Sequence, residues 1–496
     1  MKETKERCVL TLPMYTEPWQ EHILEKRFRI IEHLKNSLIR FELRKLGQLK
    51  RTAPYRELMA KLDTATEKEK KVLFRERSKL LRDAGFSEYA FLDDITPMQK
   101  HFVEHIYSQV AYKAASDVWR AFEKHLFGTG TQVSYHKRGT LESVANKKHG
   151  NGMKYEDSVF IWTGGKCEHQ IKLKIAVAEP STEYEKEMLT KPIKYLRVVR
   201  KWMKNRYKYY LQFALDGSAV QKPRAVGSGR VGIDIGTQTV AIVSAETVQL
   251  LELADQVNQN HKKKCALQRK LDASKRATNS ENYNPDGTIK RPTKGKRMQW
   301  HYSGHYRKMA AKVRELERKN AAIRKYQHNC LANAILAMGD EVYVETMSYK
   351  GLQRRAKETT VDEKGRYKKK KRFGKSLANK APAMFLSILD VKLKSIAGTE
   401  LHKVNTYEYR ASQYDHTSQA YRKKELYERQ MILSNGDTVQ RDLYSAFLLM
   451  NSDPSLECTD QSLCEQTYEA FKSLHDEEIQ RIRKSPKQYP SSFGIA

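Results

Sequence analysis

Apolar and polar residues change their spacing several times along the chain, and each change marks a segment. Residues 7–14, RCVLTLPM, alternate at period two and predict one strand. From Trp19 the spacing becomes helical, with Ile23, Phe28, Ile31, Leu34 and Leu38 three to five residues apart in a Lys/Arg-rich stretch. A second helix is expected from Glu67 to Ala84, and Thr96-Pro97 reads as a cap with proline in the first helical turn. The helix expected after it carries Ile106, Val110, Ala114, Val118 and Phe122 down one face, and Gly128-Thr-Gly130 ends it.

The period then shortens. Val159–Trp162, Ile171–Ile175, Tyr195–Arg200 and Tyr207–Phe213 read as short strands with turns between them, the pattern of a small barrel. Arg230–Ile235 predicts another strand, Gly236 a tight turn, and Val240–Ser244 its partner. A long helical pattern from Leu253 is interrupted by a polar loop at 279–296 and resumes with Met309, Val313, Leu316 and Ile323 on one stripe, as in a helical hairpin. Glu341–Glu345 follows as a strand, Ala383–Ala397 as a helix, Val404–Tyr409 as a strand and Arg441–Met450 as an apolar-faced helix. The tail from Pro486 is expected to fray. The fold class is multidomain α+β.

Charge narrows the partners. The 496 residues carry 92 Lys+Arg against 59 Asp+Glu, a formal net charge of +33. Such an excess calls for a polyanion, and nucleic acid fits better than an anionic membrane surface because no basic amphipathic helix stands out. Arg197, Arg200, Lys201, Lys204 and Arg206 crowd the expected strands. A run of cations from Arg354 and Arg355 through Lys368, Lys369 and Arg372 follows the strand that ends at Glu345. Both are candidate phosphate contacts. No apolar run is long enough to span a bilayer, and the first residues lack the core of a signal peptide. Six scattered cysteines without a Cys-x-x-Cys pair indicate neither disulfides nor a zinc site, which suits an intracellular compartment.

Three acids stand at informative places: Asp234 in the strand before Gly236, Glu345 at the end of a later strand, and Asp442 in the first turn of a helix. A buried carboxylate is costly unless it is paired or holds a metal. Phosphodiester hydrolysis builds negative charge on the entering and leaving oxygens, and two Mg²⁺ ions held by carboxylates stabilise both. Each acid alone has an ordinary explanation: Asp442 as a helix-terminal acid, Glu345 as a strand-end acid. Their order, strand-Asp, strand-Glu, helix-Asp, is that of ribonuclease H-like nucleases.

On these residues the chain resembles the RuvC-type nucleases of compact type V (type V-F-like) CRISPR effectors and their transposon-encoded TnpB relatives. Val231-Gly-Ile-Asp-Ile-Gly236 resembles the first RuvC motif, Val344-Glu-Thr-Met-Ser348 the second and Arg441-Asp-Leu-Tyr-Ser-Ala446 the third. Ala381–Leu386, Ala411–Tyr414, Ser108–Ala111 and Ala121-Phe122 are similar to further landmarks of the family. The resemblance implies an RNA-guided DNA endonuclease of the prokaryotic cytoplasm, with catalytic and metal-binding Asp234, Glu345 and Asp442 and two Mg²⁺ ions. Its partners would be a guide RNA, target double-stranded DNA and, in some members, a second protein copy on one guide. The implied domains are a first strand of an OB-like wedge barrel (1–19), a helical recognition domain (20–126), the wedge barrel (127–227) and a first RuvC part with helical hairpin and basic lid (228–407). A degenerate zinc-ribbon-like segment (408–438) and a second RuvC part with the tail (439–496) complete them.

Two departures qualify the likeness. Ser412–Ser418 stands without cysteine where a zinc ribbon would begin, so no structural zinc is expected. Tyr444-Ser445 replaces the usual asparagine of the third motif, which makes Asp442 the weakest of the three. The alternatives are a TnpB-type nuclease, a decayed nuclease that only binds nucleic acid, and an actin-like ATPase or sugar kinase. The last also uses Gly-Ile-Asp-Ile-Gly-Thr, but near the N-terminus and with further glycine-rich turns.

Overall fold

The structure is a computed structural model and describes residues 6–495 apart from 129, 205, 221–223, 293–296, 356–357, 359, 362–372 and 423–427. The chain divides into two compact units, residues 1–220 and 221–496, of mixed α and β structure.

In the first unit β1 (Arg7–Tyr15) leads into α1 (Pro18–Leu49), α2 (Ala53–Thr64), α3 (Glu67–Asp83), α4 (Glu88–Lys100) and α5 (Ser108–Phe127). Then come β2 (Ser143–Ala145), β3 (Met153–Glu156), β4 (Val159–Thr163), β5 (Lys172–Val177), α6 (Glu183–Leu189), β6 (Ile193–Met203) and β7 (Arg206–Asp216). Gln20 accepts from the Glu17 backbone N–H at 2.8 Å and fixes the start of α1. Phe28, Ile31, Leu34 and Leu38 line its buried face as the spacing predicts. They share one hydrophobic core with the sheet residues Phe160, Trp162, Leu211 and Phe213.

Two expectations need correction here. Pro97 does not open a helix. It sits inside α4, which Ser87 caps by accepting from the Ala90 N–H at 3.3 Å. Pro97 is tolerated because Asp93, whose carbonyl loses its partner, is exposed to water. Nor do the strands close into a barrel. They form a seven-stranded sheet in the order β2-β6-β7-β1-β5-β4-β3, with no ladder between β2 and β3 among the described residues. The buried Asn146 spans that gap instead, donating to Met153 O at 3.2 Å and accepting from the Leu196 N–H at 2.9 Å.

The second unit is built on a five-stranded sheet of β8 (Arg230–Ile235), β9 (Thr239–Ser244), β10 (Val248–Glu252), β11 (Glu341–Glu345) and β12 (His402–Val404). Its order is β10-β9-β8-β11-β12; β9 is antiparallel to β8 and β10, while β8, β11 and β12 run parallel. Between β10 and β11 lies the expected helical hairpin, α7 (His261–Thr278) and α8 (Gly304–Met338). After β11 come α9 (Tyr349–Leu352), α10 (Gly374–Lys380) and α11 (Pro382–Lys392). The strand expected at 404–409 ends at Val404, and the chain turns into α12 (Thr406–Tyr409) because Asn405 caps it, accepting from the Tyr407 N–H at 3.1 Å. Two small ladders follow, β13 (Tyr414–Asp415) with β14 (Ala420–Tyr421) and β15 (Gln430–Ile432) with β16 (Thr438–Gln440). The helices α13 (Arg441–Met450) and α14 (Gln461–Lys484) end the regular structure.

Strand alternation assigns the two faces of this sheet. Val231, Ile233, Ile235, Val342 and Val344 share one core with Ile335 of α8 and Phe385 of α11. Gly232, Asp234, Tyr343 and Glu345 therefore lie on the opposite face. Tyr343 joins Ala446, Phe447 and Met450 of α13 in a second core on that side. Gly232 allows the helix to come this close. A Cβ there would lie 1.9 Å from Ala446 O and 2.5 Å from Met450 N, both backbone atoms that cannot step aside. We predict that Gly232→Ala lowers stability by about 2–3 kcal/mol by pushing α13 off β8, measurable as a fall in urea midpoint.

Candidate active site

Ile233 of β8 pairs with Val344 of β11 in parallel register, so Asp234 and Glu345 are the next residues on adjacent strands and point to the same face. Both sit at the C-terminal ends of parallel strands, where open α/β sheets collect their ligands. Asp442 arrives from the other direction, in the first turn of α13. Gln440 sets that turn: its side chain accepts from the Leu443 N–H at 2.7 Å, and its own N–H donates to His475 Nε2 at 2.9 Å. All three carboxylates line one cavity of about 1010 Å³. Asp442, the weakest of the three on sequence, thus stands in the same cavity as the other two.

Burial, followed by the charges of Asp442 and then Glu345, pushes the Asp234 carboxyl well above the ordinary aspartate range. Burial pushes Glu345 up to about 7, against a smaller opposing effect from the Ala411 N–H that it accepts. Tyr349, at the start of α9, is driven up to about 12 by burial and by the charge of Asp234. Its hydroxyl is buried and has no hydrogen-bond partner. On Asp442, Oδ1 lies 3.5 Å from both Arg429 Nη1 and Arg441 Nε. The sequence reading missed Tyr349 and Arg429. No spacing pattern marks them: Tyr349 opens a helix of only four residues, and Arg429 lies in irregular chain before β15.

The donor set suits a hard cation. It is all carboxylate oxygen, crowded enough to raise proton affinity, with an unpartnered hydroxyl near Asp234. Among the described residues no His or Cys lines the cavity. Among the described residues no three acidic, His or Cys side chains close into a ready-made metal cage. Mg²⁺ seldom asks for one, since it keeps several waters and is completed by substrate phosphate.

The expected phosphate contacts fare differently. Lys201, Lys204, Arg354 and Arg355 are exposed, and Arg197 is half-buried against Gln212 and Tyr195. Arg200 needs correction. It is 2% exposed, donates to both Glu25 oxygens at 2.6 Å and to Leu141 O at 2.9 Å, and packs over Phe28 and Tyr207. It is a core cation of the first unit rather than a surface contact. Lys368, Lys369 and Arg372 lie outside the described residues.

The segment 408–438 is held by side chains. Asp415 accepts from the Thr417 N–H at 3.0 Å and hydroxyl at 2.7 Å, and from the Ser434 N–H and hydroxyl at 2.9 Å each. One carboxylate so ties the two small ladders together. His416 contributes by donating its backbone N–H to Tyr444 Oη at 3.0 Å, so the residue that departs from the third motif anchors this segment to α13. The tail does not fray either. Phe493 is 1% exposed, and its carbonyl accepts from Gln440 Nε2 at 3.2 Å.

No known family profile matches the chain, and no curated protein matches it. Among solved structures, the chain is similar to a protein in a cryo-EM structure of a Cas12f1-sgRNA-target DNA complex, at 13% identity and a TM-score of 0.45, over 91% of this chain and 99% of that one. A CRISPR-Cas12f ternary complex matches at 13% identity and a TM-score of 0.27, over 88% and 83% of the two chains. Likeness this distant assigns neither family nor activity. Among the described residues no helix is long and apolar enough to cross a membrane.

The burial of Glu345 gives a pH test. Glu345 rises from an ordinary 4.5 to about 7 in the folded chain, so between these values the folded state binds more protons than the unfolded one. This group's contribution therefore becomes less favourable as pH rises through that window. We predict that metal-free Glu345→Gln is more stable than wild type by about 1–2 kcal/mol at pH 8 and that the gap closes by pH 5. Millimolar Mg²⁺ should raise the wild-type melting temperature at pH 8 and leave that of Asp234→Asn unchanged. Melting curves with and without Mg²⁺ across this pH range check both.

Proposed function

We propose that this chain is an RNA-guided DNA endonuclease whose single site, Asp234, Glu345 and Asp442, hydrolyses phosphodiesters with Mg²⁺. The observation that carries the nuclease reading is the meeting of these acids, far apart in sequence, in one cavity at the C-terminal ends of parallel strands. The strand order, with a three-stranded antiparallel meander followed by two strands parallel to its first, is the layout of ribonuclease H-like nucleases. The net charge of +33 supplies the affinity for a polyanion. The RNA-guided part rests on the motif resemblance. There the protein reads a short flanking sequence while base pairing reads the rest.

Asp234, Glu345 and Asp442 would hold the metal. Bound there, Mg²⁺ activates water and stabilises the charge that builds on the phosphate. The chain's own part is to fix the three carboxylates on a rigid sheet and helix so that all three face one cavity. Arg429 and Arg441 offset the charge of Asp442 beside them. Lys201, Lys204, Arg354 and Arg355 are retained as phosphate contacts. On the same reading, the seven-stranded sheet would hold guide and flanking duplex, and the helices of 20–126 would lie along the heteroduplex.

An actin-like ATPase reading finds less support: the Gly-Ile-Asp-Ile-Gly-Thr motif stands about 230 residues into the chain and no further glycine-rich turns follow it. We predict that the protein, expressed with its own locus, retains a defined RNA that sequencing identifies. DNA matching that RNA should be cut only with a divalent metal. Asp234→Ala should abolish cutting by a factor of at least about a thousand, and Glu345→Gln should do the same with guide binding intact. Affinity for nucleic acid should fall roughly a thousand-fold between 50 and 200 mM salt. Binding without cutting under every divalent metal would instead indicate a decayed nuclease.

A further inference from the structure

The segment after α14 crosses the wall of the catalytic cavity. Lys487 Nζ donates to Asp255 Oδ2 at 2.6 Å, just beyond β10. Ser492 Oγ accepts from Gln238 Nε2 at 3.4 Å in the turn between β8 and β9. Phe493 is buried in the α13–α14 core, and its carbonyl holds Gln440, the residue that sets the turn carrying Asp442. Gly494 then takes a left-handed backbone, with φ 65°, against Arg429, where a Cβ would lie 2.0 Å from the Arg429 Cβ. Between these anchors Gln488, Tyr489, Pro490, Ser491 and Ser492 line the same cavity as Asp234, Glu345 and Asp442.

Tyr489 is braced by two neighbours. Its ring stacks on Phe493, with centroids 5.0 Å apart and planes 25° from parallel. Lys487 Nζ lies 5.6 Å from the ring centroid. The cavity is far larger than one phosphate and its ions require, and Phe373 lines it from a separate segment. A fixed aromatic ring in the same cavity as the three carboxylates is equipment for holding a single-stranded base, because every base offers a π-face.

Resting on the nuclease reading, we propose that Tyr489 is a stacking platform that positions the nucleotide next to the scissile phosphate in single-stranded DNA. It is a positioning residue for bases of any identity. The segment from Lys487 to Ile495 is then a working wall of the site.

The test uses the full chain with its retained RNA and a single-stranded DNA that matches this RNA and carries 5-iododeoxyuridine, irradiated in Ca²⁺. The photocrosslink should map to the peptide containing Tyr489. With unmodified DNA and Mg²⁺, Tyr489→Ala should lower kcat/KM about ten-fold and scatter the cut position, while Tyr489→Phe and Tyr489→Trp keep both near wild type. Equal melting temperatures across the variants exclude a folding effect. Crosslinks elsewhere, together with wild-type cutting by Tyr489→Ala, would overturn the stacking role and leave the nuclease reading intact. A protein that never cuts yet crosslinks at Tyr489 would overturn the nuclease reading and keep the platform.

Discussion

Like charges must be held together against their own repulsion, and the second unit is arranged to do that. Asp234 and Glu345 stand on adjacent parallel strands whose register is locked from Glu341 to Val344. Asp442 is carried in by a helix that reaches the sheet only because Gly232 has no side chain. Backbone, which cannot swing away, thus supplies the force that side chains alone could not. Burial, and at Asp234 the neighbouring charges of Asp442 and Glu345 as well, raises the proton affinity of Asp234 and Glu345. On the proposed reading, a bound cation would relieve what the fold imposes.

The supporting parts share a habit of using side chains to fix backbone. Gln440 begins α13, receives the ring of His475 and holds the carbonyl of Phe493. Asn146 bridges the open edges of the seven-stranded sheet. Arg27, buried in α1, donates to Trp162 O at 2.8 Å and Ile171 O at 2.6 Å, and burial lowers its pKa to about 9. Each is a polar group with its partners inside the fold, where an unpaired one would be costly. They explain how sheets assembled from short strands keep a definite geometry.

Much of this was legible in the sequence, for reasons that can be stated. Period-two and helical spacing report burial directly, so α1, α5, α8, β8 and β11 were all foreseeable. Asp234 stood out in the sequence because a carboxylate among apolar strand residues is rare, whereas Asp442 stood out only by its order after the two strand acids. Closure of the strands was misjudged, since alternation gives the faces of a strand but not its last neighbour. Arg200 was misjudged because a cation's sequence position does not reveal a carboxylate 175 residues away. Pro97 misled because solvent exposure of one carbonyl decides whether a helix tolerates it. The docked tail was invisible for a similar reason: Phe493 is a single apolar residue, and no period announces its pocket.

The Asp415 clasp bears on how the protein meets acid. Four donated hydrogen bonds hold that carboxyl below its usual range, although burial alone would raise it. Glu345, by contrast, takes up its proton near neutrality. The tie that organises the small ladders therefore stays charged after the buried Glu345 carboxylate has been neutralised. In the metal-free protein, protonation inside the cavity and release of the small ladders are thus separate events along the pH scale.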